Sequence, residues 1–297
     1  MSILICGGTG FLGSHIVKSL ASRHLHLRVL SRKARTSTIP SLEYIQGNVF
    51  DQASLEKAMQ GCDTVINAVQ FDNAPFENPS KGLTYEKVDA EGTEAIVCAV
   101  KASGVKRMIY ISGAGTNAEK TEPWFRAKWR AEQAVKGSGA QWTIFRPSWI
   151  YGPDDHSLNR MITMIRWSPL VSILGKGYRI QPVFVDDMAN LVAKSVDATH
   201  TFGQIYQVAG PESLTMNEML QRTARILCKK RMYLNIPKPV AGLLFSILEK
   251  IPGFPVTRAS LDFLTMDILT PKSEQEKVEK DFQIRLVTLQ EGLQTYL

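Results

Sequence analysis

A glycine-punctuated turn near the amino terminus limits this chain more than any other feature. Residues 2–6, SILIC, form a short apolar run, and GGTGFLG follows at once at 7–13. From Phe11 to Ser22 the apolar residues Ile16, Val17 and Leu20 return on one face of a helix. Gly7, Gly10 and Gly13 therefore sit between a strand and a helix. In such a turn the first glycine permits the tight reversal. The second lets backbone approach a bound group, and the third lets helix lie close on strand. The first N–H groups of the helix then face that group, which suits a phosphate. A glycine turn that only reverses the chain is the plainer reading. Its placement after a first strand in a βαβ unit favours a pyrophosphate cradle, with Thr9, Phe11 and Leu12 in the same loop.

The rest of the first half repeats this rhythm. Strands are expected at 25–30, 42–47, 63–69, 106–112 and 142–147, and helices at 52–60, 83–103 and 122–136. Strands that are continuously apolar and alternate with helices imply a parallel sheet covered on both faces, a doubly wound α/β (Rossmann) fold. After Pro147 the rhythm loosens. Segments 157–175 and 235–270 are apolar and proline-punctuated, with helices expected near 186–197 and 215–228. Residues 1–150 read as a dinucleotide-binding core. Residues 151–297 read as a smaller C-terminal lobe, interwoven with the core and closing over the sheet edge where ligands of such folds bind.

Composition narrows the function classes. The net charge of +7 admits acidic ligands, an acidic membrane surface or nucleic acid, but no dense aromatic-basic stripe supports nucleic acid. Cys6, Cys62, Cys98 and Cys228 are scattered, and the histidines lack metal-ligand spacing, so reduced thiols and no metal are expected. Residues 1–6 already read as a strand, and runs such as PVAGLLFSIL at 239–248 are too short to span a bilayer. A cytoplasmic protein, at most membrane-peripheral, is expected.

The end of the second strand bears on which dinucleotide is bound. An acid there would grip the ribose 2′-OH of NAD, but the chain reads LSRKAR, with Ser31, Arg32 and Arg35. Guanidinium groups suit a 2′-phosphate, which favours NADP(H) over NAD(H). A solvated basic loop is the alternative.

With these residues in place, the chain resembles the atypical and extended short-chain dehydrogenase/reductase superfamily. Within it, the chain is most similar to the NmrA-like group and to the nucleotide-binding accessory subunit of respiratory complex I with its bacterial relatives. The likeness rests on GGTGFLG (7–13), VDAEGTEAIVCAVKASGVKRMIYIS (88–112), FRAKWRAEQAV (125–135), TIFRPSWIYGP (143–153) and PVFVDDMA (182–189), and thins after residue 200. It implies that Gly7 to Gly13 hold the pyrophosphate and that Arg32 lies at the adenosine side. It places Asn48 near the adenine, where relatives carry aspartate. Asn67, Ala68 and Val69 would line the cofactor, and Pro147 and Ser148 would lie near the nicotinamide.

The same resemblance raises a conflict. Catalytic members use a tyrosine four residues before a lysine, so that both share a helix face, together with a serine or threonine after the fifth strand. Lys128 matches the lysine and is expected to bond the nicotinamide ribose, with an exposed solubilising role as the bland alternative. Four residues earlier stands Trp124, whose indole cannot ionise usefully. Ser112 matches the first serine and could bond a substrate or merely cap the strand, and the second serine position is Gly113. Of the nearby phenols, Tyr110 reads as core, whereas Tyr151 could reach the pocket beside Trp124. Asp154, Asp155 and His156 read as a solvated loop, and Asp186 and Asp187 as caps of the next helix.

Three readings follow. The first is an NADPH-dependent oxidoreductase acting on a small apolar carbonyl or quinone with a substituted proton donor. The second, favoured because no replacement acid is visible, is a cofactor-holding sensor, assembly factor or complex I-like accessory protein. The third is a peripheral-membrane variant of the second, based on residues 160–177 and 236–256, where Arg160, Arg166, Lys176, Lys238 and Lys250 flank apolar runs. Packing over an apolar pocket accounts for those runs equally well, and is the commoner outcome.

Overall fold

The computed structural model describes all residues except 24, 72, 73, 75, 175, 176, 249–260 and 262–264. Lys176, Lys250 and the end of the 236–256 segment therefore lie outside the described residues. Strands β1 (Ser2–Cys6), β2 (His26–Ser31), β3 (Leu42–Gln46), β4 (Thr64–Asn67), β5 (Arg107–Ile111) and β6 (Gln141–Pro147) form a parallel sheet. The short strands β7 (Ile150–Tyr151) and β10 (Val183–Phe184) pair beyond it, as do β9 (Arg179–Ile180) with β12 (Leu214–Thr215), and β8 (Leu170–Leu174) with β13 (Met232–Ile236). A further strand, β11 (Gln204–Val208), completes the large sheet in the order β3-β2-β1-β4-β5-β6-β11. Residues after 150 thus supply both an edge of the sheet and the lobe.

The helices are α1 (Phe11–Ala21), α2 (Gln52–Met59), α3 (Gly92–Ser103), α4 (Pro123–Lys136), α5 (His156–Trp167), α6 (Val185–Ser195), α7 (Met216–Ile226), α8 (Lys238–Leu248), α9 (Lys272–Phe282) and α10 (Leu289–Gln294). Both faces of the sheet are covered, which explains why its central strands β1, β4 and β5 are buried almost throughout rather than in alternation. Ile3, Ile5, Val29, Ile109 and Phe145 pack on one side with residues of α1, α6 and α9. Leu4, Val65, Met108 and Ile144 pack on the other with residues of α2, α3 and α4. A separate core in the lobe gathers Tyr151, Leu158, Val171, Leu220 and Leu293.

The long helix expected over 83–103 is not one regular helix. A π-helix spans Tyr85–Glu91 and only then does α3 begin, with the Gly92 N–H reaching back to the Lys87 carbonyl. The wider turn carries Tyr85, Val88, Asp89 and Ala90 into the interior. Periodicity conceals this, because the buried positions on either side still recur at helical intervals.

Candidate dinucleotide site

Chain order reverses between β1 and β4, and a doubly wound sheet opens a ligand crevice at the carboxyl ends of such a pair. The turns after these strands meet there. Gly7 adopts φ +83°, and a Cβ on it would lie 2.4 Å from the Ala68 carbonyl oxygen. A Cβ on Gly13 would lie 2.0 Å from the Gly7 carbonyl oxygen. Both positions therefore demand glycine. Gly10 instead faces open space, with only the Gly7 oxygen, 3.3 Å away, near its missing Cβ. No side chain caps α1 and no acid stands in its first turn, so its leading amides are available to an anion. Thr9 and Gly10 are exposed, while Phe11 and Leu12 turn their side chains toward the lobe and leave only backbone in the loop.

The flanking turns are braced by their own polar groups. Asn67 Nδ2 donates to Thr93 Oγ1 at 3.0 Å, and its Oδ1 accepts the Val69 N–H at 3.1 Å, which shapes the Asn67–Ala68–Val69 turn. Ser31 is buried and donates to the Lys33 carbonyl at 2.8 Å, so it shapes the basic loop rather than reaching outward. Arg32 and Arg35 are exposed beyond it. Arg28, by contrast, donates to the Gln60 carbonyl, which separates it from that loop. Asn48 is exposed and holds the Phe50 N–H with its side-chain oxygen. Pro147 accepts the Ala114 N–H at 2.8 Å, and Ser148 beside it has a buried Oγ with no hydrogen-bond partner. A buried hydroxyl left unpaired just after β6 is the sort of group a ligand satisfies.

Helix α4 presents Trp124, Lys128 and Glu132 at successive i, i+4 steps along one face. The Trp124 indole lies over Gly113, where an added Cβ would be 2.3 Å from Cζ2. Lys128 is buried, its Nζ 2.6 Å from Asp89 Oδ1 and 3.3 Å from the Ile111 carbonyl. Burial alone would lower its pKa, but the adjoining carboxylate outweighs this and raises the ammonium above the ordinary lysine range. Ser112 Oγ donates to Glu132 Oε1 at 2.6 Å, and Arg146 grips Glu132 through Nε and Nη2 at 2.8 and 2.6 Å. Ser112 and Lys128 thus each already have a buried partner. Tyr110 adds nothing here, since burial pushes its phenol up to about 12 despite the nearby ammonium.

A family model described as NAD(P)H-binding matches residues 7–164. The chain belongs to that NAD(P)H-binding family. Its sequence is 25% identical over 268 residues to the 40 kDa subunit of NADH-ubiquinone oxidoreductase from Neurospora crassa, covering 86% of this chain and 68% of that protein. It is 27% identical over 234 residues to a (4-alkanoyl-5-oxo-2,5-dihydrofuran-3-yl)methyl phosphate reductase from Streptomyces griseus, covering 76% and 73%. The fold matches that of UDP-glucuronic acid 4-epimerase from Bacillus cereus, with a TM-score of 0.78 at 17% identity over 100% of this chain and 98% of the other. These relationships fit an atypical short-chain dehydrogenase/reductase of the NmrA-like group.

Several positions of this NAD(P)H-binding chain differ from expectation. Tyr151 is fully buried and donates to the Thr288 carbonyl at 3.2 Å, with Phe184 5.5 Å away between ring centres. Its side chain packs against α10. Asp155 is the N-cap of α5, accepting the Ser157 and Leu158 N–H groups, so it is not part of a solvated loop. Asp186 and Asp187 stand in the first turn of α6 but cap nothing. Asp186 bonds His15 Nδ1 at 2.5 Å, and Asp187 accepts the Val287 N–H at 2.8 Å. Sequence reasoning missed Asp89, Glu132 and Arg146. Asp89 stands among Glu86, Lys87, Glu91 and Glu94, so nothing in the sequence marks it as the buried acid of that stretch.

Proposed function

We propose that this protein holds NADP(H) as a resident ligand without standard dehydrogenase turnover, acting as a redox-state sensor, assembly factor or accessory subunit. The carrying observation is the seating of Trp124 over Gly113, which puts an indole where catalytic relatives place a proton-handling phenol and fills the space of the second serine. The pairing of Ser112 with Glu132 and of Lys128 with Asp89 supports the same reading. Each would have to break a buried contact before serving a substrate. Likeness to a subunit of NADH-ubiquinone oxidoreductase agrees with a holding role inside a larger assembly. Preference for the 2′-phosphorylated dinucleotide is supported by Arg32 and Arg35 beyond β2, where no acid stands.

The test is a fluorescence titration with NADPH and with NADH, followed by a panel of carbonyl and quinone acceptors. Tight NADPH binding with negligible oxidation is expected. Efficient oxidation that depends on Lys128 would overturn the holding role. A second reading, a reductase of a small apolar carbonyl or quinone with another proton source, is favoured by the unpartnered buried Ser148 hydroxyl and by the reductase relative. The same acceptor panel separates the two.

A further inference from the structure

Residues 156–185 and 219–248 contain ten Lys and Arg and no Asp or Glu, although the whole chain has 28 acids. These two segments meet in space. Strand β8 pairs in parallel with β13, setting Leu170 beside Met232 and Ser172 beside Leu234. Because side chains alternate across a ribbon, Val171 and Ile173 enter the lobe core while Leu170, Met232 and Leu234 face outward. Met232 is 72% exposed, and Trp167, at the end of α5, is 84% exposed. Arg231 ties these elements together by donating to the Ile165 and Arg166 carbonyls.

Helix α8 follows directly after β13. It buries Ala241 and Phe245, four residues apart, while Val240, Leu243, Leu244 and Ile247 point to solvent, Leu243 at 67% exposure. The spacing i, i+3, i+4, i+7 makes the outer side a continuous apolar stripe. Packing among the described residues of the lobe therefore does not account for these side chains. Lys229 and Lys230 stand exposed at the entrance to β13, and exposed Arg166 adjoins Trp167.

We propose that the outer side of the β8–β13 ribbon with Trp167, together with the outer stripe of α8 that follows it in the chain, seats the protein on an anionic lipid surface. Exposed apolar side chains with exposed cations on the neighbouring segments match acyl chains beneath phosphate headgroups. An exposed tryptophan beside an arginine suits the headgroup level. No described helix is long and apolar enough to cross a membrane, so the contact is one of lying on the surface. A second copy is a poorer occupant, since a two-fold contact would press like basic rims together. The inference does not depend on the cofactor reading.

The experiment is cosedimentation of the full chain with vesicles of phosphatidylcholine mixed with phosphatidylglycerol, against phosphatidylcholine alone. Binding to the mixed vesicles only, weakening as salt rises, is expected. Leu243→Ser with Ile247→Ser should weaken it by roughly tenfold or more. Lys229→Gln with Lys230→Gln should weaken it by roughly tenfold or more as well. Circular dichroism checks that each variant is folded, so a failure of dinucleotide binding is read separately. A folded protein that ignores the mixed vesicles, binds both kinds alike, or binds them regardless of these substitutions would overturn the proposal. So would a stable dimer that Leu243→Ser disperses.

Discussion

The indole of Trp124 and the backbone of Gly113 occupy one another's space: a Cβ on Gly113 would fall 2.3 Å from Cζ2 and 2.7 Å from Cη2. Loss of the phenol on α4 and loss of the second serine after β5 are therefore one packing solution rather than two independent changes. Trp124 also meets Phe125 edge to face, with ring centres 4.6 Å apart, so the indole cannot readily swing aside.

This reciprocity predicts non-additive substitutions. Gly113→Ser alone should destabilise the fold by about 1–3 kcal/mol through overpacking. Combined with Trp124→Tyr, which removes part of the bulk, the cost should fall, giving a coupling of about 0.5–3 kcal/mol in a double-mutant cycle. Urea unfolding of the four proteins measures it. Additive costs would mean that the two positions do not share space.

Gly10 separates binding from folding. Its φ of −84° and ψ of 178° are open to any residue, and the nearest atom to an added Cβ is the Gly7 oxygen at 3.3 Å. Gly10→Ala should therefore change stability by no more than about 1 kcal/mol, the scale of a weakened N-cap. It should still weaken NADPH binding by roughly tenfold or more, because the methyl group would stand where a pyrophosphate approaches. Gly7→Ala is different, since φ +83° and the Ala68 carbonyl make it a folding defect first. Paired thermal melts and NADPH titrations distinguish the two.

The Asp89–Lys128 pair predicts both a magnitude and a pH window. Asp89→Ala leaves a buried ammonium unpaired and should cost about 3–5 kcal/mol, whereas Asp89→Leu with Lys128→Met should recover most of that. The folded-state pKa of Lys128 lies above its unfolded value. Its contribution is thus fully present below the unfolded value of about 10.4 and is lost only as pH rises beyond it toward the folded value. Between neutrality and mildly alkaline pH the ammonium should add no slope, whereas burial raises the Asp89 carboxyl, whose own contribution strengthens as pH falls. Urea midpoints compared between the parent and the double variant, from neutral to strongly alkaline pH, test the sign. A difference that grows as pH rises past the unfolded lysine value of about 10.4 would contradict it.

What the sequence disclosed and what it hid divide along physical lines. Gly7 and Gly13 were legible because steric demand on the backbone leaves only one residue type, and the sheet was legible because doubly covered strands stay apolar along their whole length. The seventh strand, β11, does not stand out in the sequence. Its pattern QIYQV mixes polar and apolar residues, as befits an edge strand whose partner, β6, lies some 60 positions earlier in the chain. Asp89 was concealed by the π-helical turn, which shifts the buried face by one residue without breaking the apolar rhythm. The commitment of Ser112 to Glu132 depends on a contact between β5 and α4 that no spacing along the chain reveals.

Tyr151 offers the sharpest contrast between residue type and role. A phenol just past Pro147 and Ser148 invites a catalytic reading, yet a Cβ on Gly292 would lie 2.2 Å from its hydroxyl oxygen, so α10 is fitted around it. Burial raises its pKa, which makes proton release harder rather than easier. Tyr151→Phe should accordingly cost only the hydrogen bond to the Thr288 carbonyl, about 0.5–1.5 kcal/mol, and leave NADPH affinity unchanged. Gly292→Ala, by contrast, should loosen α10 and expose the lobe core, because a methyl group there meets both the Tyr151 hydroxyl and Phe184. Hydrogen exchange over residues 285–297 would report that loosening. A loss of NADPH binding in Tyr151→Phe with the fold intact would return this residue to the pocket.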